Sequence, residues 1–178
     1  MTMREFARVA AAVATIALLA PWAAQGRSAD QDEDAALVAQ IVPASLVFSN
    51  PTSACPEGVA TFEVTSNVGP GTGRGCFLSV TPTSPCSADA CQVVASQITL
   101  FLRGGTITFA LRQIEALTFE PSGALQIVLR LEGTVTQATR RFHELAGAPV
   151  GGGGVTVIAP DGSISTTVKF VVAELDEN

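Results

Sequence analysis

From residue 59 onward, apolar side chains recur at every second position in short runs broken by Gly, Pro, Ser, Asn and Asp. Period two is the spacing of a strand with one buried face, because successive side chains leave a strand on opposite sides. The last run is the cleanest: Ile164, Thr166, Val168, Phe170 and Val172 share one face, with Ser165, Thr167, Lys169 and Val171 on the other. Residues 59–66, 76–81, 91–102, 106–112, 114–120, 125–132 and 155–159 read the same way. Strands recurring about every ten residues, with no sustained helical period between them, predict an all-β domain. The expected architecture is a single antiparallel β-barrel of about eight strands, with a β-sandwich as the alternative.

The punctuation between runs carries further expectations. Residues 67–73 predict a glycine-dense turn and residues 81–87 a proline-rich one. Asp161-Gly162 is a hairpin signal, since both residues tolerate the positive φ of a type I′ turn. Gly151 to Gly154 reads as a flexible loop or glycine bulge ahead of a strand. A phosphate loop would need a Lys-Ser/Thr pair opening a helix there, and Val155-Thr156-Val157-Ile158 opens a strand instead. Residues 35–41 and 140–146 each have room for a helical turn or two. The first segment reads alternatively as the opening strand, continuing through 45–49 after Pro43.

The N-terminus predicts a cellular address. Arg4 and Arg8 flank a charged start, residues 9–20 are an apolar run, and Ala24-Gln25-Gly26 is a small-x-small cleavage pattern. The run is shorter than the roughly 18 apolar residues a spanning helix needs, so residues 1–26 read as a cleaved secretory signal peptide. Residues 27–44 are expected to be an acidic, partly disordered segment, and 45–178 the barrel domain. The product is then secreted or periplasmic, with no membrane span. The full chain has a net charge of −6, and losing Arg4, Arg8 and Glu5 makes it more acidic still. Nucleic acid and anionic lipid, which need basic patches, are set aside as partners. A single lysine, Lys169, and the absence of tyrosine, beside abundant Arg, Ala and Gly, suggest a bacterial genome of high GC content.

The four cysteines, Cys55, Cys76, Cys86 and Cys91, are expected as disulfides in an oxidising compartment. None of their spacings is the C-x-x-C of a zinc pair, so no metal is expected. Two pairings have a geometric rationale. Cys86 with Cys91 leaves Cys55 with Cys76; alternatively, successive hairpins bring 55 opposite 86 and 76 opposite 91.

Catalytic signals are sparse. His143 is the one histidine, which excludes sites built on paired imidazoles. It stands beside Glu144, a possible acid–base pair or simply a surface dipeptide. No Gly-x-Ser-x-Gly elbow appears. Arg103, Arg112, Arg130 and Arg141 sit near the ends of apolar runs, where a guanidinium at a barrel mouth would hold a carboxylate; rim pairing with Glu115 or Glu132 is the alternative. A carboxylate pair drawn from Glu63, Glu115, Glu120 and Glu132 is arithmetically available, with no spacing that favours it.

Gly104-Gly105-Thr106-Ile107, then Thr139-Arg140-Arg141-Phe142, Ala146-Gly147-Ala148, a glycine-rich stretch and a final Asp-Gly hairpin form an ordered series over about residues 100–172. This series resembles the C-terminal half of the dirigent and allene oxide cyclase-like family. The family glycines ahead of the arginine are replaced here by Ala138 and Arg140. Membership would imply an eight-stranded, lipocalin-like barrel with an apolar lumen that binds or cyclises a hydrophobic small molecule, and in some members a trimer. No catalytic residue carries over. Two functional expectations follow. One is an exported barrel binding a hydrophobic small molecule in its lumen, with Arg103, Arg112, Arg141 and Phe109 as ligand contacts, no cofactor, and a cyclase-like activity if it is an enzyme. The other is a non-catalytic structural or adhesive module, which a lumen filled by Phe62, Phe101, Phe109, Phe119 and Phe170 would favour.

Overall fold

The computed structural model describes residues 35–83, 85 and 90–173. The expected signal peptide, the acidic residues 30–34 and 174–177, and Cys86 lie outside them. Among the described residues the chain forms nine strands: β1 (Ala35–Ile41), β2 (Val47–Ser49), β3 (Gly58–Ser66), β4 (Gly71–Pro82), β5 (Gln92–Leu102), β6 (Gly105–Phe119), β7 (Leu125–Ala138), β8 (Pro149–Ile158) and β9 (Ile164–Ala173). Sheet order runs β1-β9-β8-β7-β6-β5-β4-β3-β2, and β3 also returns to β1 through Ala39↔Ser66 and Ile41↔Val64. Every pairing is antiparallel. Eight strands therefore close into a barrel, as the alternation predicts, and β2 is an extra strand on the first half of β3.

The barrel begins ten residues ahead of the expected boundary at 45. Leu37, Ala39 and Ile41 follow period two and are buried in the core, so residues 35–41 are a strand rather than a helical turn. β1 and β2 run along the same edge of β3, with Ile41 opposite Val64 and Val47 opposite Thr61. Between them Pro43, which has no N–H to donate, and Ala44 at φ 63 lift the chain off the sheet.

The glycine-rich segments also differ from expectation. β4 starts at Gly71, so the last three residues of the expected turn are strand. Gly151 to Gly154 are neither loop nor bulge: each pairs in register with both β7 and β9. The reason lies inside the barrel. β4 and β8 stand opposite each other in the ring, and their inward positions include Gly73, Gly75, Gly152 and Gly154. Gly73 faces Phe62 directly, and a Cβ there would sit 2.1 Å from the ring. A Cβ on Gly152 would meet the Lys169 carbonyl at 2.0 Å. These two walls yield their side-chain volume to three phenylalanines from other strands. Phe62, Phe109 and Phe170 are buried, with ring centroids 6.4 Å apart for Phe62–Phe170 and 5.9 Å for Phe109–Phe170.

The two ends are built differently. At the lower end, a 3-10 helix at Arg140–Leu145, matching the expected helical turn, inserts the buried Phe142 beneath the rings. It is tied on by Thr139 N–H to the Thr106 carbonyl at 3.0 Å and Thr106 N–H to Thr139 Oγ1 at 2.9 Å. At the upper end, the β6–β7 and β8–β9 hairpins turn through matching Pro-x-Gly loops, 120–124 and 159–163. The Gly123 N–H donates to the Glu120 carbonyl and the Gly162 N–H to that of Ala159. Only the glycine takes positive φ in each, 84° and 85°. The hairpin at Asp161-Gly162 is thus present, but Pro160 sets a three-residue loop ending in a left-handed glycine in place of type I′.

Cys55 is bonded to Cys76, tying the segment before β3 to β4 and excluding the alternative that paired 55 with 86. Cys91 is disulfide-bonded as well. Among the described residues, no helix is long and apolar enough to cross a membrane.

Candidate functional site

On β6 the alternation that buries Ile107, Phe109 and Leu111 continues upward without a break, so the next inward side chains are Gln113 and Glu115. Both are buried, at 4% and 8% exposure. Buried polar groups are the informative ones in a barrel interior, because each must find a partner or pay for lost hydration. Gln113 Nε2 donates to the buried Ser96 Oγ on β5 at 2.6 Å. Gln92, directly opposite Glu115 on β5, donates from Nε2 to Glu115 Oε2 at 2.6 Å. On the far side of β7, Thr156 and Thr166 bond to each other through their hydroxyls at 2.8 Å, fully buried.

Burial pushes the Glu115 carboxyl above its ordinary 4.5, and the Gln92 hydrogen bond only partly offsets this. Loss of hydration disfavours the charged form, while a donor to the carboxylate favours it; here the first effect wins. Glu115 is therefore a carboxyl that keeps its proton longer than a surface glutamate. It faces into the upper half of the barrel.

The apolar side chains around it are open to solvent. Leu117, Ile127, Leu129, Ile158 and Ile164 point inward yet are only half-buried. Val80 stands opposite the inward Val94 and is 40% exposed, and Phe119, next in phase on β6, is 52% exposed. The upper half of the barrel is thus an apolar-rimmed mouth with a polar floor. Below that floor the interior is filled by the phenylalanines.

The expected ligand residues do not converge on this mouth. Arg112 lies on the outer wall, because Leu111 and Gln113 on either side take the inner face; its Nη1 is 3.8 Å from Glu132 Oε2, with both side chains exposed. Arg130 joins the same surface pair at 3.0 Å. Arg103 is exposed in the lower β5–β6 turn. Arg141, also at the lower end, lies 4.9 Å over the Phe142 ring. Phe109 is completely buried in the ring cluster. His143 and Glu144 do approach, at 3.7 Å, but both are exposed on the 3-10 helix. Among the four glutamates considered as catalytic pairs, only Glu115 is buried.

The residues the sequence reading missed are Gln92, Ser96, Gln113, Thr156 and Thr166. The signal was available. Gln113 and Glu115 fall in phase with Ile107, Phe109 and Leu111, and polar residues at inward positions mark a lumen. Read as two separate strands, residues 106–112 and 114–120 lose that phase, whereas β6 runs unbroken from Gly105 to Phe119.

Two shallow recesses lie on the outer wall. One, about 370 Å³, is lined by Ser45, Thr61, Glu63, Thr72, Arg74 and Phe101, with Phe62 and Gly73 beneath. A second, about 210 Å³, lies over β1 and β3 at Val38, Gln40, Thr65, Ser66 and Asn67. Among the described residues no three His, Cys, Asp or Glu side chains gather into a metal site. Compared with family models, curated proteins and solved structures, the chain matches none.

Proposed function

We propose that the protein is an exported β-barrel that takes one end of a small apolar molecule into its upper mouth, with Glu115 as the polar contact. The observation that carries this reading is the buried, inward-facing Glu115 carboxyl beneath a rim of half-exposed aliphatic side chains. Binding sites combine apolar walls with a few placed polar groups, and titratable groups perturbed by burial cluster at such sites. Because burial raises its pKa, the Glu115 carboxyl stays a hydrogen-bond donor into less acidic solution than a surface glutamate does, and in that protonated form it suits a ligand with an acceptor such as a ketone, ester or ether. This narrows the expectation from a lumen-wide site with arginine anchors to a shallow one without them. The resemblance to dirigent and allene oxide cyclase-like proteins points to the same class of ligand, and guided cyclisation is its further implication.

A suitable probe is prodan, a neutral naphthalene ketone whose emission moves to the blue on leaving water. A saturable blue shift is expected with the mature, oxidised protein. Glu115→Ala should weaken it by up to about tenfold, the value of one good hydrogen bond. Arg103→Ala, Arg112→Ala and Arg141→Ala should leave it unchanged. The filled lower half favours a second reading, a structural or adhesive module. An absent or non-saturating shift from well-folded protein would select it.

A further inference from the structure

We propose that the outer wall carries a separate binding site, the groove between Ser45 and Phe101, and that it takes a single pyranose unit of a neutral glycan. The argument is independent of the mouth and rests on how β3 and β4 pair. Thr61 lies opposite Arg74, and Glu63 opposite Thr72. These four outward side chains form the corners of a square around the Phe62–Gly73 pair. At its centre Phe62 and Gly73 both face the barrel interior, so the floor of the groove is strand backbone. The lifted chain between β1 and β2 brings Ser45 to one side, held by its Oγ to the Val42 carbonyl at 2.7 Å and by Glu63 N–H to that Oγ at 3.0 Å. On the other side Phe101, opposite Thr72 on β5, raises a phenyl ring that is 47% exposed. The floor is two strands wide, about 10 Å.

The chemistry of the corners selects the ligand. Glu63 and Arg74 lie on neighbouring strands of one face, yet their side chains make no ion pair with each other or with any described residue. Thr61 and Thr72 hydroxyls are likewise uncommitted. One carboxylate, one guanidinium and two hydroxyls supply acceptors and donors with no net charge, which does not favour a simple anion or cation. Both charged groups are planar forks suited to pairs of adjacent hydroxyls. The exposed phenyl ring offers an apolar surface to the C–H face of a sugar ring. A volume of about 370 Å³ is at the small end of ligand sites and suits one ring with its substituents.

The test is amide chemical-shift mapping of isotope-labelled, oxidised protein titrated separately with cellotriose, xylotriose and chitotriose, and with glycyl-leucine as a zwitterionic probe. With at least one saccharide, saturable shifts at Ser45, Thr61, Glu63, Thr72, Arg74 and Phe101 are expected, with millimolar affinity. Phe101→Ala and Glu63→Gln should each weaken binding about tenfold, while Glu115→Gln leaves it intact. Because Phe101 and Glu63 are exposed, the same spectra report that the variants remain folded. Failure of all three saccharides to move these amides would overturn the proposal. So would a response to glycyl-leucine alone, or shifts confined to the upper mouth.

Discussion

The two halves of the barrel interior share one strand pattern and have different contents. In the lower half, Leu100, Ile107, Phe109, Phe170 and Val172 are essentially inaccessible, and the glycines of β4 and β8 make room for the rings. In the upper half, the same inward positions hold Ser96, Gln113, Glu115, Thr156 and Thr166, under side chains that solvent still reaches. The lower half stabilises the fold by removing apolar surface from water, on the order of 2–3 kcal/mol for each buried aromatic. The upper half gives up part of that stabilisation to hold a carboxyl in a poorly hydrated place. A region that trades stability for a perturbed ionisable group is where function is expected.

The largest effect should come from the lower half. Phe170→Ala, which empties the centre of the ring cluster, is expected to cost about 3–5 kcal/mol in denaturant unfolding. Phe119→Ala at the upper rim should cost less than about 1 kcal/mol, since half of that ring is already in water. Equal costs would erase the contrast between the halves. Next in size is the Cys55–Cys76 bridge, whose joint replacement by alanine should lower stability by about 2–4 kcal/mol while leaving the mouth formed.

Glu115 sharpens the comparison through pH. Its folded pKa is raised above 4.5, so the native state holds this proton more tightly than the unfolded chain does. The group's contribution is most favourable below 4.5 and is lost as pH rises through the folded value. Glu115→Gln should therefore raise the melting temperature at neutral pH and flatten the fall in stability between mildly acidic and neutral solution. A variant less stable than wild type at neutral pH, with the slope intact, would assign the slope elsewhere. The smallest effect is expected on the outer wall. Arg112→Ala removes a half-exposed ion pair with Glu132 and should change stability by about 0.5 kcal/mol or less.

The barrel was legible in the sequence because alternation is a local signal. Ile164 to Val172 announces an inner and an outer face within one strand, and turn residues mark most strand ends. What escaped depended on partners far along the chain. Gly151 to Gly154 look like a loop until Lys169 and Leu129 are seen pressing their carbonyls against them. Residues 35–41 read as either a helical turn or an opening strand until β9 and β3 are found on either side. The site suffered most. Arginines near strand ends were read for their charge, but a strand's phase decides which wall a side chain joins, and one position separates the exposed Arg112 from the buried Gln113.

The most direct test of the division is methyl and carboxyl NMR on the oxidised protein, titrated with prodan. An open upper mouth over a sealed lower core predicts that the methyls of Leu117, Ile127, Ile158 and Ile164 and the carboxyl of Glu115 shift together and saturate. The methyls of Leu100, Ile107 and Val172 should stay in place. Shifts spread through the lower half, or a silent Glu115 beneath an unmoved rim, would contradict the account.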